Sequence, residues 1–169
     1  MNLDRIPRLD IVLVDANIFI YAVLERSQQC IRLLRRCSQG EILGVVGVQQ
    51  LAEVMHRLMM IEARDNGWAP GGNPAKVLGE RPDRIQALTR YADAVKGLLA
   101  SGIRCESVGR EDVLSALTIQ RQYGLMTNDA LLMAISERLR IQAIVSADEQ
   151  LRRVRGIVLY SPDDLTETA

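Results

Sequence analysis

Short aliphatic runs, each followed by a stretch with helical spacing, constrain this chain more than any other feature. The first opens the segment IVLVDANIFIYA, which begins at Ile11: an apolar run ending in Asp15, then Asn17 at the start of an apolar helix. A continuous apolar run of that length reads as a strand buried on both faces. Ile42–Val46 reads as a second strand, Ile103–Val108 as a polar third, Ala143–Val145 as a fourth and Ile157–Tyr160 as a fifth. The helical stretches between them run to about Leu24, then over Gln28–Ser38 behind a Ser27 cap, and from Val48 to about Ala63. Further helices are predicted over Arg84–Ser101 behind Asp83, over Glu111–Tyr123 with Gly124 as its stop, and over Asp129–Arg140. Strands alternating with helices predict a three-layer α/β/α sandwich around a mainly parallel five-stranded sheet. At 169 residues a single domain, 1–169, can bury a real core without staples.

The Arg64–Pro82 stretch interrupts this alternation. Gly67, Pro70, Gly71, Gly72, Pro74, Gly79 and Pro82 punctuate it, with Trp68 inside. It reads as a Gly/Pro-rich loop or lid inserted at about 64–82, longer than a compact domain tolerates without purpose.

Formal net charge is zero, with 21 basic and 21 acidic residues, which argues against a passive nucleic-acid binder. It does not argue against an enzyme that grips phosphate locally. The basic residues are nearly all arginine, the only lysines being Lys76 and Lys96; arginine suits phosphate through its planar fork, although base composition accounts for the bias equally well. Cys30 and Cys37 share one face of a predicted helix and read as small core residues, and Cys105 completes an odd number without metal spacing. No leader and no apolar run of ~20 residues is present, so a cytoplasmic protein without a membrane span is expected.

Ligands of parallel α/β sheets bind beyond the carboxyl ends of the strands, so the acids delivered to that edge matter most. Asp15 and Asp148 each end or closely follow a short aliphatic strand. Asp129 stands in the first turn of an apolar helix, where the helix dipole favours a carboxylate even without a ligand; helix-start acid and site acid are both open readings. Glu53 points away from the stripe of Val48, Leu51, Ala52, Met55, Leu58 and Met59, and periodicity makes it solvent-exposed. Converging carboxylates repel. A hard divalent cation such as Mg²⁺ or Mn²⁺ removes that repulsion, prefers oxygen ligands and can activate water for phosphodiester hydrolysis.

Other chemistries find less support. His56 is the only histidine and there is no G-x-S-x-G elbow, which disfavours a Ser-His-Asp hydrolase. No His/Cys cluster offers a zinc site. Glu53-x-x-His56 has the spacing of a di-iron helix motif, but only in one copy. A haloacid-dehalogenase-type phosphohydrolase wants a second Asp where this chain has Asn17, and a receiver domain wants a lysine after a late strand.

Four segments in this order, IVLVDANIFIYA, QLAEVMHRL, GLMTNDALLMAIS and AIVSADEQL, resemble the PIN-domain ribonucleases, most closely the VapC-like toxins of VapBC-type toxin–antitoxin pairs. The resemblance runs from Ile11 to Leu165. It implies Asp15, Glu53, Asp129 and Asp148 as the four acids of a Mg²⁺ or Mn²⁺ site, with Asn17 and Ser146 orienting ligands or substrate. It further implies an endoribonuclease working through metal-activated water, an RNA substrate, a cognate antitoxin protein and a homodimer. The Arg64–Pro82 stretch is longer than the matching connection in compact relatives. Arg35, Arg36, Arg152, Arg153 and Arg155 are candidate RNA contacts, and a PIN fold that docks RNA or protein without cutting is the alternative.

Overall fold

A computed structural model describes residues 1–69 and 73–165. Five strands form one sheet: β1 (Ile11–Val14), β2 (Leu43–Gly47), β3 (Arg104–Glu106), β4 (Ala143–Val145) and β5 (Val158–Tyr160). Their spatial order is β3-β2-β1-β4-β5 and every neighbouring pair is parallel. The expected α/β/α sandwich is therefore the observed fold.

Alternation along the strands builds the layers, because successive side chains leave a strand on opposite faces. Val12 and Val14 of β1, Val46 of β2, Val145 of β4 and Tyr160 of β5 enter one core. Leu13, Val45, Ile144 and Leu159, each one residue out of step, enter the other. The first core is covered by α1 (Ala16–Val23), α2 (Gln28–Ser38), α3 (Val48–Asp65) and α6 (Arg90–Ala100), the second by α7 (Arg110–Tyr123) and α8 (Thr127–Leu139). Ser27 caps α2 by accepting the Cys30 N–H at 3.1 Å. Gly124, at φ +66°, closes α7 in the left-handed region that glycine adopts without strain. Cys30 and Cys37 are buried as expected, and burial pushes both thiols up to about 11.

The third strand is shorter than the sequence suggests, three residues at an edge, because its polar residues bury little. The stripe of α3 also differs. Its buried residues include Gln50, Leu51, Val54 and Leu58, whereas Val48 and Met55 are exposed. Two polar residues explain the rotation: Gln50 is fully buried, and buried Glu62 serves a cap.

The expected loop at Arg64–Pro82 is partly helical: α3 continues to Asp65, and α4 spans Pro74–Gly79. Pro70, Gly71 and Gly72 lie outside the described residues. Ala63, Ala69, Leu78 and Leu88 form a small separate core here, with Trp68 and Ile85 packed on it. Nor does Asp83 cap one long helix. It lies within α5 (Pro82–Ala87), and the chain breaks at Leu88–Thr89 before α6 begins. The carboxylate of Glu62 explains that break, since it accepts the N–H groups of Thr89, Arg90 and Tyr91 at 3.0, 3.1 and 2.8 Å. It thereby satisfies donors that the first turn of α6 cannot pair internally.

Candidate active site

In strand order β3-β2-β1-β4-β5 the connections reverse direction between β1 and β4. A crevice at the carboxyl end of such a reversal is the usual ligand site of an open α/β sheet. Asp15 follows β1 directly and its N–H bonds to Val145 O of β4 at 2.9 Å. Ser146 and Asp148 follow β4. The two strands that sequence reasoning placed on one edge are thus immediate neighbours.

Asp15 is 7% exposed and is held by neutral donors. Its Oδ1 accepts the Ala16 N–H at 2.7 Å, capping α1, and its Oδ2 accepts Asn17 Nδ2 at 2.6 Å and Ser146 Oγ at 2.6 Å. Asn17 also donates to Ser146 Oγ at 3.1 Å and accepts the Ala147 N–H at 3.1 Å. Ser146 Oγ accepts the Asp148 N–H at 3.0 Å. Asn17 and Ser146 therefore link the end of β1 to the end of β4 and fix the direction of the Asp15 carboxylate.

Glu53 comes from the second turn of α3, reached through a tight junction at Gly47. A Cβ there would stand 2.5 Å from Gln50 Oε1 and 2.7 Å from Ile135 Cδ1. Glu53 is half-buried and not on the solvent side that periodicity indicates. One of its oxygens accepts Asn128 Nδ2 at 2.7 Å, and the other lies 3.5 Å from Arg57 Nη1. Asp129, in the first turn of α8, is half-buried.

The structure brings Asp15, Glu53, Asp129 and Asp148 to the wall of one open cavity of about 280 Å³. Asn17, Asn128, Arg57 and Met126 complete that wall. Ser146 is fully buried behind it. Burial pushes the Asp129 carboxyl up to about 6, reinforced by the charges of Asp15, Asp148 and Glu53. Asp15 is also raised, first by burial and further by Glu53 and Asp148, against the pull of its bonds to Ser146 and Ala16. Asp15, Asp129 and Asp148 form no ion pair among the described residues. An oxygen-only donor set whose charges oppose one another fits a hard divalent cation. The carboxylates are not closed on a single point: among the described residues no three His, Cys, Asp or Glu groups are arranged to hold one ion.

Asn128, Arg57 and Met126 are the members of this wall that sequence reasoning did not single out. The signal for Arg57 was its i,i+4 spacing from Glu53; for Asn128 it was its place just before Asp129. The arginines named from sequence lie elsewhere: Arg36 binds Ile6 O and Glu41, Arg152 pairs with Glu149, and Arg155 lines a different cavity with Arg140. His56 is exposed on α3, and no described helix is long and apolar enough to cross a membrane.

Among solved structures the chain is similar to a toxin–antitoxin complex from Klebsiella pneumoniae, with 14% identity, a TM-score of 0.54, and 87% of this chain and 95% of that one covered. It is also similar to VapBC2 from Rickettsia felis bound to a DNA fragment from their promoter, with 15% identity, a TM-score of 0.55, and 90% and 99% coverage. At such identities the likeness concerns the fold. A comparison with curated proteins finds no match. The PIN-domain family profile matches residues 12–157, from within β1 to the threshold of β5. By its sequence over that span and by its parallel sheet, the chain belongs to the PIN-domain family.

Proposed function

We propose that this protein is a divalent-metal-dependent endoribonuclease and the toxin of a toxin–antitoxin pair. The observation that carries the reading is the convergence of four carboxylates on one open cavity, with Asp129 pushed up to about 6 by burial and, further, by its acidic neighbours. Asp15, Glu53, Asp129 and Asp148 would hold Mg²⁺ or Mn²⁺. When bound, such an ion offsets their repulsion, lowers the pKa of water and stabilises charge on a phosphoryl oxygen. Asp15 is locked by Ala16, Asn17 and Ser146 and provides the fixed member of the set. Asn17 and Ser146 keep that carboxylate in place, Ser146 from full burial and Asn17 from the cavity wall, where it can also orient substrate.

Membership of the PIN family and likeness to two toxin–antitoxin complexes support an antitoxin protein as partner. Exposed Val113, Leu114 and Leu117 on one helix, α7, suit a second copy of the chain. We read residues 1–169 as one domain with an insertion at about 64–82, working in the cytoplasm.

The decisive measurement is Mn²⁺-dependent cleavage of RNA by the purified chain and by Asp15→Asn. The variant is expected to lose at least about a thousandfold in rate while keeping its circular dichroism spectrum, in line with the electrostatic share of metal-assisted phosphoryl chemistry. Equal rates in wild type and a folded Asp15→Asn would remove this site from the chemistry.

A further inference from the structure

The acidic cavity has a single basic side chain on its described wall, Arg57. It follows Glu53 by one helical turn on α3, and its side chain is 50% exposed. Taken alone the pair is an ordinary i,i+4 contact on a helix surface, which contributes little to stability. Two features set it apart.

First, Glu53 does not depend on Arg57 for its position. Asn128 Nδ2 holds the other carboxylate oxygen at 2.7 Å. The carbonyl of Asn128 is in turn held by Nε2 of Gln50 at 3.1 Å, and Gln50 is fully buried. Glu53 is thus placed from α8 through a link anchored on buried Gln50, while Arg57, at 3.5 Å, is longer than the 2.7–2.9 Å of a tight charge-assisted bond. The guanidinium is the exchangeable partner.

Second, a polyanion entering this cavity meets carboxylates on every other charged position. A metal ion can neutralise the phosphate at the acids but not the phosphates that flank it. A guanidinium fork is matched to phosphate oxygens and carries a charge that no accessible pH removes.

We propose that Arg57 exchanges Glu53 for a backbone phosphate next to the scissile one, and so sets the path of the RNA strand across the acids. This rests on the nuclease reading above. It makes Arg57 a substrate-binding residue and not a support for Glu53.

The test separates RNA binding from metal binding. Anisotropy of a labelled single-stranded RNA is measured without metal and across a salt series, using full-length Asp129→Asn and Asp129→Asn/Arg57→Gln. The second chain is expected to bind about tenfold more weakly, with a log–log salt slope shallower by about 0.7, as for one lost phosphate contact on a single strand. Arg57→Lys in the same background should recover part of the affinity. Calorimetric titration with Mn²⁺ should give Arg57→Gln an affinity equal to or above that of wild type.

RNA affinity and slope unchanged to within about twofold would overturn the proposal. So would a Mn²⁺ affinity that falls in step with RNA affinity, since Arg57 would then act through Glu53. If wild type cuts RNA and only the Arg57 comparison fails, the nuclease reading stands without this residue. If wild type neither cuts nor binds RNA, both fall.

Discussion

Asp15 and Glu62 are both buried carboxylates, 7% and 5% exposed, and they titrate in opposite directions. Burial raises each of them. At Glu62 the N–H groups of Tyr91, Thr89 and Arg90, together with the Arg90 guanidinium, outweigh burial and bring the carboxyl below its usual range. At Asp15 the bonds to Ser146 and Ala16 pull the same way, yet burial and the charges of Glu53 and Asp148 prevail. Asp112 behaves like Glu62: burial is overcome by the Gly109 N–H and by Arg138, whose Nε donates at 2.7 Å. Burial therefore does not distinguish a structural acid from a site acid here. The charged neighbours do: Glu62 and Asp112 each face an arginine, whereas Asp15 and Asp129 face other carboxylates.

The contrast is broken most directly at Glu62. Glu62→Ala leaves three N–H groups at the start of α6 without their acceptor and loses the link from α3 to the start of α6. A loss of about 3 kcal/mol in urea unfolding is expected, from charge-assisted bonds removed in a buried setting. Because the folded pKa of Glu62 lies below the unfolded value, its contribution is fully present above about 4.5. It is lost as pH falls through the folded value, so the variant and wild type should converge in acid.

Asp129→Asn tests the other side and should have the opposite sign. The folded pKa is raised from 3.8 to about 6, so the protonated acid is the form the fold favours. That favourable contribution is complete below about 3.8 and is lost as pH rises through 6. At pH 7.5 the metal-free variant should be more stable than wild type by about 1 kcal/mol after allowance for solvent screening, a gain of a few degrees in thermal melting. Saturating Mn²⁺ should reverse the order by stabilising wild type more. A metal-free variant no more stable than wild type at pH 7.5 would mean that neither burial nor the neighbouring acids disfavour the charged Asp129.

The smallest effect is expected at His56, exposed on α3, the helix that also carries Glu53 and Arg57. His56→Ala should change stability by less than about 0.5 kcal/mol and leave RNA cleavage untouched, as surface substitutions generally do. A pronounced loss of cleavage would bring the Glu53-x-x-His56 pair back into the chemistry.

Local patterns carried much of this. Apolar runs located β1, β2, β4 and β5 to within a residue or so, because a strand buried on both faces must be apolar throughout. Asp15 and Asp148 were recognisable as acids sent to one edge for the same reason. Glu53 was not, since helical periodicity assumes that buried means apolar. Gln50 and Glu62 violate that assumption, rotating the buried face of α3 relative to its hydrophobic stripe. The Arg64–Pro82 stretch concealed a helix for a different reason: α4 is six residues long, under two turns, too short to display a period.

The sequence by itself determined the fold class and the oxygen-only character of the candidate site. Both follow from which residue types occur and how they alternate, and both survive any small error in element boundaries. Tertiary structure alone decided that β1 and β4 lie side by side, that Asn128 reaches Glu53 across 75 residues of chain, and that Arg57 is, among the described residues, the cation on the acidic wall. Those relations depend on strand order and helix rotation. They are set by the packing of the two cores on either side of the sheet, which no local stretch of residues encodes.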